Sequence, residues 1–434
     1  NGLHLKKARE ILIERLSSDG FLIKQEEIIH SVPYGDRSGT VIEPLLTNQW
    51  FVDVKKLAEP AIKAVEEGKI QFFPAKWVNS YFEWMRNIEP WCISRQIIWG
   101  HRIPVWYGPK GEIIVARTEA EAQASAAKLG ITADQLSRET DVLDTWFSSA
   151  LWPFAAFGWP EETARLKRYF PTSVLVTGFD IIFFWIARMI MMSLYFKKEI
   201  PFKDIYIHAL VRDEKGQKMS KSKGNVLDPM DLINEFGADA LRFTLAFMSV
   251  PGRDIKFDRE NVRISRNFIT KIWNAARFMQ IRGIKFDQNI KKINTNKRLN
   301  CWIIAKLKKL KSNIDDDMKE YRFDYATRDI QLFLRDIFCD FFIETMKSQN
   351  DEDIAITAGF VFTEFLKISH PFIPFVVEHL AEKLGAELYD DQDIEMLQTD
   401  EKSEKEVDEF IELIHDERSK KQEKRERGGG SMQI

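Results

Sequence analysis

Lys218 and Lys221 stand three positions apart around the small hydroxyl residue Ser220, in the decamer GQKMSKSKGN at 216–225. Ammonium groups on long stems suit a triphosphate whose negative charge moves during reaction, because cations already in place lower the barrier to attack at phosphorus. Gly216 and Gly224 at the edges act as hinges that let the backbone approach a ligand. The plain alternative for such a decamer is a solvated surface loop.

Two strands are placed to carry this loop. VLVTG at 174–178 leads into the apolar helix of FDIIFFWIARMIMM, and DIYIHALV at 204–211 runs straight into the lysines. Strand, helix, strand is the parallel α/β pattern, and in such sheets ligands sit at the carboxyl ends of strands, where Gly178 and the loop both fall. Beyond the loop, Asp228 and Pro229 read as N-cap and first turn of a short helix closed by Gly237. From 261 onward strands disappear. Apolar residues recur at helical spacing through ISRNFITKIWNAARFMQ, CWIIAKLKKLKSNI, TRDIQLFLRDIFCDFFIETM and AGFVFTEFLKISHPFIPFVVEHLAEKL, which predicts a bundle of four or five helices.

Upstream, an amphipathic helix is expected at 8–16, strand-like pieces around HSVPYGDRSGT and a second helix near 54–67. Trp77, Trp84, Trp91, Trp99 and Trp106 crowd into 76–107, where aromatic packing is the simplest account of any one of them. Residues 117–140 read as an Ala/Glu-rich helical insertion ending in Gly130, and 401–427, alternating in charge, as a solvated helix or frayed tail.

Composition sets the limits. The chain has 434 residues, 44% hydrophobic and 30% charged, enough for two or three globular domains. A formal net charge of -3 argues against a generally polybasic surface, so any polyanion site must be local. Cys92, Cys301 and Cys339 lie far apart, without metal-ligand or disulfide spacing, as expected in a reducing compartment such as the cytoplasm. The apolar run 181–194 is interrupted by Arg188 and is short for a bilayer, so it is expected to be a buried helix, with no membrane partner. The opening NGLHLKKARE reads as a cut into a longer polypeptide, and the closing GGGSMQI as a flexible linker or cloning remnant.

KMSKS is the second signature of the class I aminoacyl-tRNA synthetases, and HALVRDEKGQKMSKSKGNVLDPMDLINEFGADALRF resembles their valyl-tRNA synthetase family closely. So do WCISRQIIWGHRIPVWY, DVLDTWFSSALWPF, GFDIIFFWIARMI, RNFITKIWNAARF, YRFDYATRDIQLF and ISHPFIPFVVEHL, in the family's order, over roughly residues 25–390. The resemblance implies the second half of a Rossmann-type nucleotide-binding fold followed by an all-α anticodon-binding domain. The expected segments are 1–75, the returning leg of the editing insertion; 76–215, the second half of the catalytic domain; 216–258, the KMSKS loop and stem-contact region; 259–400, the anticodon-binding bundle; and 401–434, a charged tail and linker.

Residue roles follow from the same resemblance. Lys218 and Lys221 would steady the developing charge and departing pyrophosphate when ATP, with its Mg2+, is attacked by the valine carboxylate, and Met219, Ser220 and Ser222 would complete the ATP-binding loop. Gly178 and Asp180 resemble a GxD element at the nucleotide, although Asp180 at a helix start also reads as a plain cap. His208, Ala209, Leu210 and Val211 resemble the stretch along the adenine. Trp146, Ile181 and Trp185 resemble the walls of the valine pocket, or else ordinary core. Such a pocket cannot strongly reject threonine, a limit for which valyl-tRNA synthetases are the standing illustration.

On the first bundle helix, Lys271, Asn274, Arg277 and Phe278 share a face. Cation, amide and aromatic could hold splayed anticodon bases there, the alternative being a solvated face with Phe278 in the core. Lys285, Lys291, Lys292, Lys297, Arg298, Lys306, Lys308, Lys309 and Lys311 could meet tRNA phosphates or simply line a wet helix. The HIGH motif of the family is absent, so a missing amino-terminal half is an expected partner, beside tRNA-Val, in an enzyme acting as a monomer. Two other readings stay open: a tRNA-binding fragment without catalysis, and an isoleucyl or leucyl relative.

Overall fold

The computed structural model describes residues 2–35, 38–43, 46–220, 223–286, 290–348, 351–390 and 393–428. The chain divides into two compact units, 1–50 and 51–434. In the first, the expected helix spans Leu5–Ser18 and buries none of its residues. The expected strand pieces reduce, among the described residues, to one bridge between Tyr34 and Val41. Pro33, Gly35 and Gly39 interrupt any longer ladder there.

The second unit begins with a three-stranded sheet, Gln71–Phe73, Phe202–His208 and Thr172–Gly178 in that spatial order, parallel throughout. Phe202, Ile205 and Ile207 on the central strand are buried, as a sheet covered on both faces requires. The expected strand 204–211 is shorter at its far end. It stops at His208, and Val211–Arg212 pairs instead with Ile255–Lys256, because the amides of Ile255 and Phe257 donate to the carbonyls of Leu210 and Arg212 at 2.9 and 3.0 Å.

The apolar segment after Gly178 also departs from a single α-helix. It runs as a 3-10 turn, Phe179–Ile181, a π-helical stretch, Ile182–Ala187, and an α-helix, Arg188–Phe196. Consecutive bulky rings cannot all point one way at 3.6 residues per turn. The widened turn lets Phe183 stack on Trp84 at 4.9 Å while Phe184 faces Trp146 at 5.8 Å. By length and composition Phe179–Phe196 could cross a membrane, yet half of it is buried inside this fold and Arg188 is an interior ion-pair partner. The run therefore packs as a core element.

The insertion holds a helix, Glu119–Ala127, capped by Thr118, over a small antiparallel sheet with Trp106 in its core. Pro229–Phe236 forms as expected, with Asp228 Oδ1 accepting from the Met230 amide at 2.8 Å.

Among the described residues between 259 and 384, five packed segments make the bundle: Arg259–Ile281, Arg298–Lys319, Phe323–Leu332 continuing through the π-helical Phe333–Ile343, Glu352–Ser369 and Pro374–Leu384. Trp302, Phe333, Phe338, Phe342, Phe360, Phe362 and Phe365 fill its core, each contributing about 1.5–3 kcal/mol by leaving water.

The helix Glu401–Gly428 is more than a solvated tail. Asp408 accepts from the buried Trp302 indole (2.8 Å) and from Lys306 (2.7 Å), while Glu404 takes Lys306 at 2.7 Å. Asp408→Ala leaves that indole N–H unmatched. It is expected to cost about 1–3 kcal/mol and to open this helix to trypsin, and an unchanged melting curve and digestion pattern would contradict the anchoring.

Candidate functional site

Gly178 and His208 end adjacent parallel strands and face each other in register. Asp180 folds back over Gly178, so that a methyl there would lie 2.7 Å from Asp180 Oδ1 and 3.6 Å from His208 Cε1. A side chain at 178 would have to displace the exposed Asp180 carboxylate. The His208 ring places Nδ1 2.9 Å from the Ala209 carbonyl, which can only accept, so Nδ1 carries the proton and Nε2 of a neutral ring is left as an acceptor. Asp180 and Val211 are exposed, and Ala209 and Leu210 half-buried. A cleft of about 240 Å³ opens beside His208 and Ala209. Its wall is the Trp77 ring stacked on Phe179 at 4.9 Å and 4°, under the Lys76 ammonium, which donates to the Gly252 carbonyl at 3.0 Å. Sequence reasoning placed Trp77 in packing alone and passed over Lys76 and Phe179.

The cationic loop leaves Val211–Arg212 through a tight turn. Asp213 Oδ1 accepts from the amides of Lys215 (3.1 Å) and Gln217 (2.7 Å), and Arg212 bridges back to Lys218. Gly216 and Gly224 take φ of 77° and 67°, the left-handed region that favours glycine, as the hinge reading requires. Lys218 is exposed, with Met219 and Ser220 half-buried. Lys221 and Ser222 lie outside the described residues. Hydrogen bonds, first from Asn225 and then from the Gln217 amide, hold the Asp213 carboxyl below its usual range.

Trp146, Ile181 and Trp185 are half-buried, and the first and last are joined through short local links. Trp146 faces Phe184 across 5.8 Å, and the Trp185 indole donates to the Ser149 carbonyl at 2.9 Å, one turn along from Trp146. Beneath Trp146 lies a carboxylate that sequence reasoning missed. Asp144, 5% exposed, accepts on Oδ2 from Trp91 Nε1 (2.9 Å), Arg95 (3.2 Å) and Arg188 (3.3 Å), and on Oδ1 from the Trp146 amide (3.4 Å). The Arg188 guanidinium lies 3.8 Å from the centre of the Trp91 ring. Burial pulls it down to about 10, so it remains a cation at neutral pH. The only hint in the sequence was the place of Asp144 two residues before Trp146.

On helix Arg259–Ile281, Asn274 and Arg277 are exposed, whereas Lys271 reaches Asp340 at 2.9 Å. Phe278 is half-buried against the bundle core, with Arg282 and Lys347 at 5.5 and 5.7 Å from its ring. Several of the basic residues considered for phosphates hold protein carboxylates instead: Lys297 with Asp351 and Asp353, Lys306 with Glu404 and Asp408, Lys308 with Glu395.

Comparison with known proteins adds to this geometry. The family profile "tRNA synthetases class I (I, L, M and V)" matches residues 14–258, and "Anticodon-binding domain of tRNA ligase" matches residues 300–427. The valine--tRNA ligase of Rhodopseudomonas palustris is 50% identical over 401 residues, which are 86% of this chain and 42% of that protein. That of Pelagibacter ubique is 50% identical over 386 residues, 87% of this chain and 44% of its own length. The chain thus spans less than half of the curated relatives it matches. Among solved structures, Mycobacterium tuberculosis methionyl-tRNA synthetase bound by methionyl-adenylate superposes with a TM-score of 0.62 at 17% identity, covering 82% of this chain and 66% of that one. The ternary LeuRS-tRNA-LeuAMS complex of Agrobacterium radiobacter K84 gives 0.61 at 18% identity, over 72% of this chain and 44% of that one. These two likenesses concern the fold.

Proposed function

The chain belongs to the class I tRNA synthetases of the I, L, M and V type, and from that premise we propose that it is the KMSKS-bearing catalytic and anticodon-binding part of a valine-tRNA ligase. The observation that carries the proposal is 50% identity to valine--tRNA ligases over 86% of the chain. In the reaction, a valine carboxylate oxygen attacks the α-phosphorus of ATP, the bond to the β,γ-diphosphate breaks, and valyl-adenylate and pyrophosphate form. Mg2+ enters with ATP as part of the substrate. A terminal ribose hydroxyl of tRNA-Val then attacks the valyl carbonyl carbon, the bond to the adenylate phosphate oxygen breaks, and valyl-tRNA and AMP form.

Within that reaction the strand-end residues take separate tasks. Gly178 keeps the nucleotide path clear, Asp180 accepts hydroxyl hydrogen bonds, and the stretch His208, Ala209, Leu210 and Val211 runs beside the adenine. Lys218 and Lys221, with Met219, Ser220 and Ser222, meet the departing pyrophosphate. Trp146, Ile181 and Trp185 enclose the valine isopropyl group and exclude larger side chains. Asn274 and Arg277, exposed beside Lys271 and Phe278, support anticodon contact at this helix. The enzyme acts as a monomer in the cytoplasm, its nucleotide fold completed by the HIGH-bearing amino-terminal half.

The test is amino-acid-dependent exchange of pyrophosphate into ATP by the full-length polypeptide that carries this chain, beside exchange by the chain alone. Valine is expected to support exchange in the full-length protein, with isoleucine and leucine far behind, and the isolated chain to be inactive. Exchange driven best by isoleucine or leucine, or none with valine, overturns the assignment.

A further inference from the structure

The loop that carries Lys218 has a neck tied by two side chains to which no part of the reaction gives a task. Asn225 binds the backbone on both sides of Met219: its Oδ1 accepts from the Ser220 amide at 2.9 Å, and its Nδ2 donates to the Lys218 carbonyl at 3.3 Å. The same Nδ2 donates to Asp213 Oδ2 at 2.8 Å, while Asp213 Oδ1 takes the Lys215 and Gln217 amides. Twelve positions apart in sequence, the two residues close the loop at its base. Asn225 thereby gives Lys218 and Ser220 the hydrogen bonds a neighbouring strand would give.

We propose that Asp213 and Asn225 are positioning residues for the adenylation step, a clamp that fixes the direction in which Lys218 leaves the backbone. The inference rests on the proposed synthetase reading. A lysine on an untied, glycine-flanked loop samples many directions, and freezing its backbone costs conformational entropy. The clamp meets that cost before substrate arrives, so the ammonium stands ready where charge develops. The pair works through charge as well as shape. Asp213 accepts every hydrogen bond it makes here, and Asn225 supplies both the donor facing it and the acceptor facing Ser220. No other uncharged side chain of that length presents both atoms.

The test uses the full-length protein, first shown to catalyse valine-dependent exchange; its failure at that stage would count against the synthetase reading and not against the clamp. Asn225→Ala and Asp213→Ala are each expected to lower kcat ~10–100-fold with the KM for valine and the melting temperature unchanged. The double variant should be no worse than the poorer single one, because the two residues act as a unit. The isosteric Asn225→Asp should be worse than Asn225→Ala, since it sets a second carboxylate against Asp213, and Asp213→Asn in the same chain should restore part of the loss. Trypsin should cut the Asn225→Ala loop faster. Additive losses, an isosteric variant milder than alanine, or unchanged kcat with unchanged cleavage would each overturn the proposal.

Discussion

Replacing Lys218 by alanine in the full-length protein is expected to lower kcat for valine-dependent exchange ~10²–10³-fold, leaving the KM for valine and the thermal midpoint where they were. The structure separates these outcomes. Lys218 is exposed, and among the described residues its ammonium has no carboxylate partner. What the fold uses of Lys218 is its backbone: the carbonyl accepts from Asn225, and the residue bridges to Arg212. An alanine keeps both. The side chain contributes nothing to stability that can be lost, so the substitution is expected to stay within about 0.5 kcal/mol of the parent.

The catalytic loss, in contrast, should be large. A preorganised cation acts where negative charge grows during the reaction and little in the ground state, which is why the defect belongs in kcat. Lys218→Arg discriminates further: it keeps the charge on a planar fork, and partial recovery would assign the role to charge rather than to bulk. A drop of less than about threefold in Lys218→Ala would remove this residue from the reaction.

How far such roles could be read ahead of the structure depended on how local their causes are. Two of the three parallel strands and the loop that follows them were legible because short apolar runs, flanking glycines and an Asp-Pro helix start are written within a few residues of where they act, whereas the three-residue strand Gln71–Phe73 was too short to stand out. Helical spacing likewise gave the bundle, whose apolar faces need only their own period. What escaped were pairings across long stretches of chain. Trp91 reaches Asp144 over 53 positions and Lys306 reaches Asp408 over 102, so neither the hub under Trp146 nor the docking of the last helix left a local pattern. The π-helical turn after Phe179 was hidden for a related reason, since its cause is the rings it must meet, Trp84 and Trp146, on other elements. At the candidate site, Gly178 and Asp180 were singled out by their family pattern. The contact between them, a carboxylate folded back against the glycine, needed coordinates.

Asp144→Ala is expected to have the largest effect on stability, because it removes one carboxylate from four donors at once. Arg188 is 6% exposed and stacked on Trp91, and it cannot recover its counter-charge from water. Breaking a buried pair by deleting one partner costs about 3–5 kcal/mol, since the remaining charge stays desolvated. The Trp91 indole N–H loses its acceptor in the same step, and the Trp146 amide loses its cap. Asp144→Asn, of nearly the same shape, separates the causes. It keeps an acceptor for the indole but not the charge opposite Arg188, so it should fall between the parent and alanine in chemical denaturation. If the charge dominates, it should lie nearer alanine. In the surviving folded fraction the KM for valine should rise, because Trp146 sits on the turn that Asp144 starts. Denaturation midpoints for Asp144→Ala matching the parent would mean that Arg188 is neutralised by some other group, and that this carboxylate does not hold Trp146 in place.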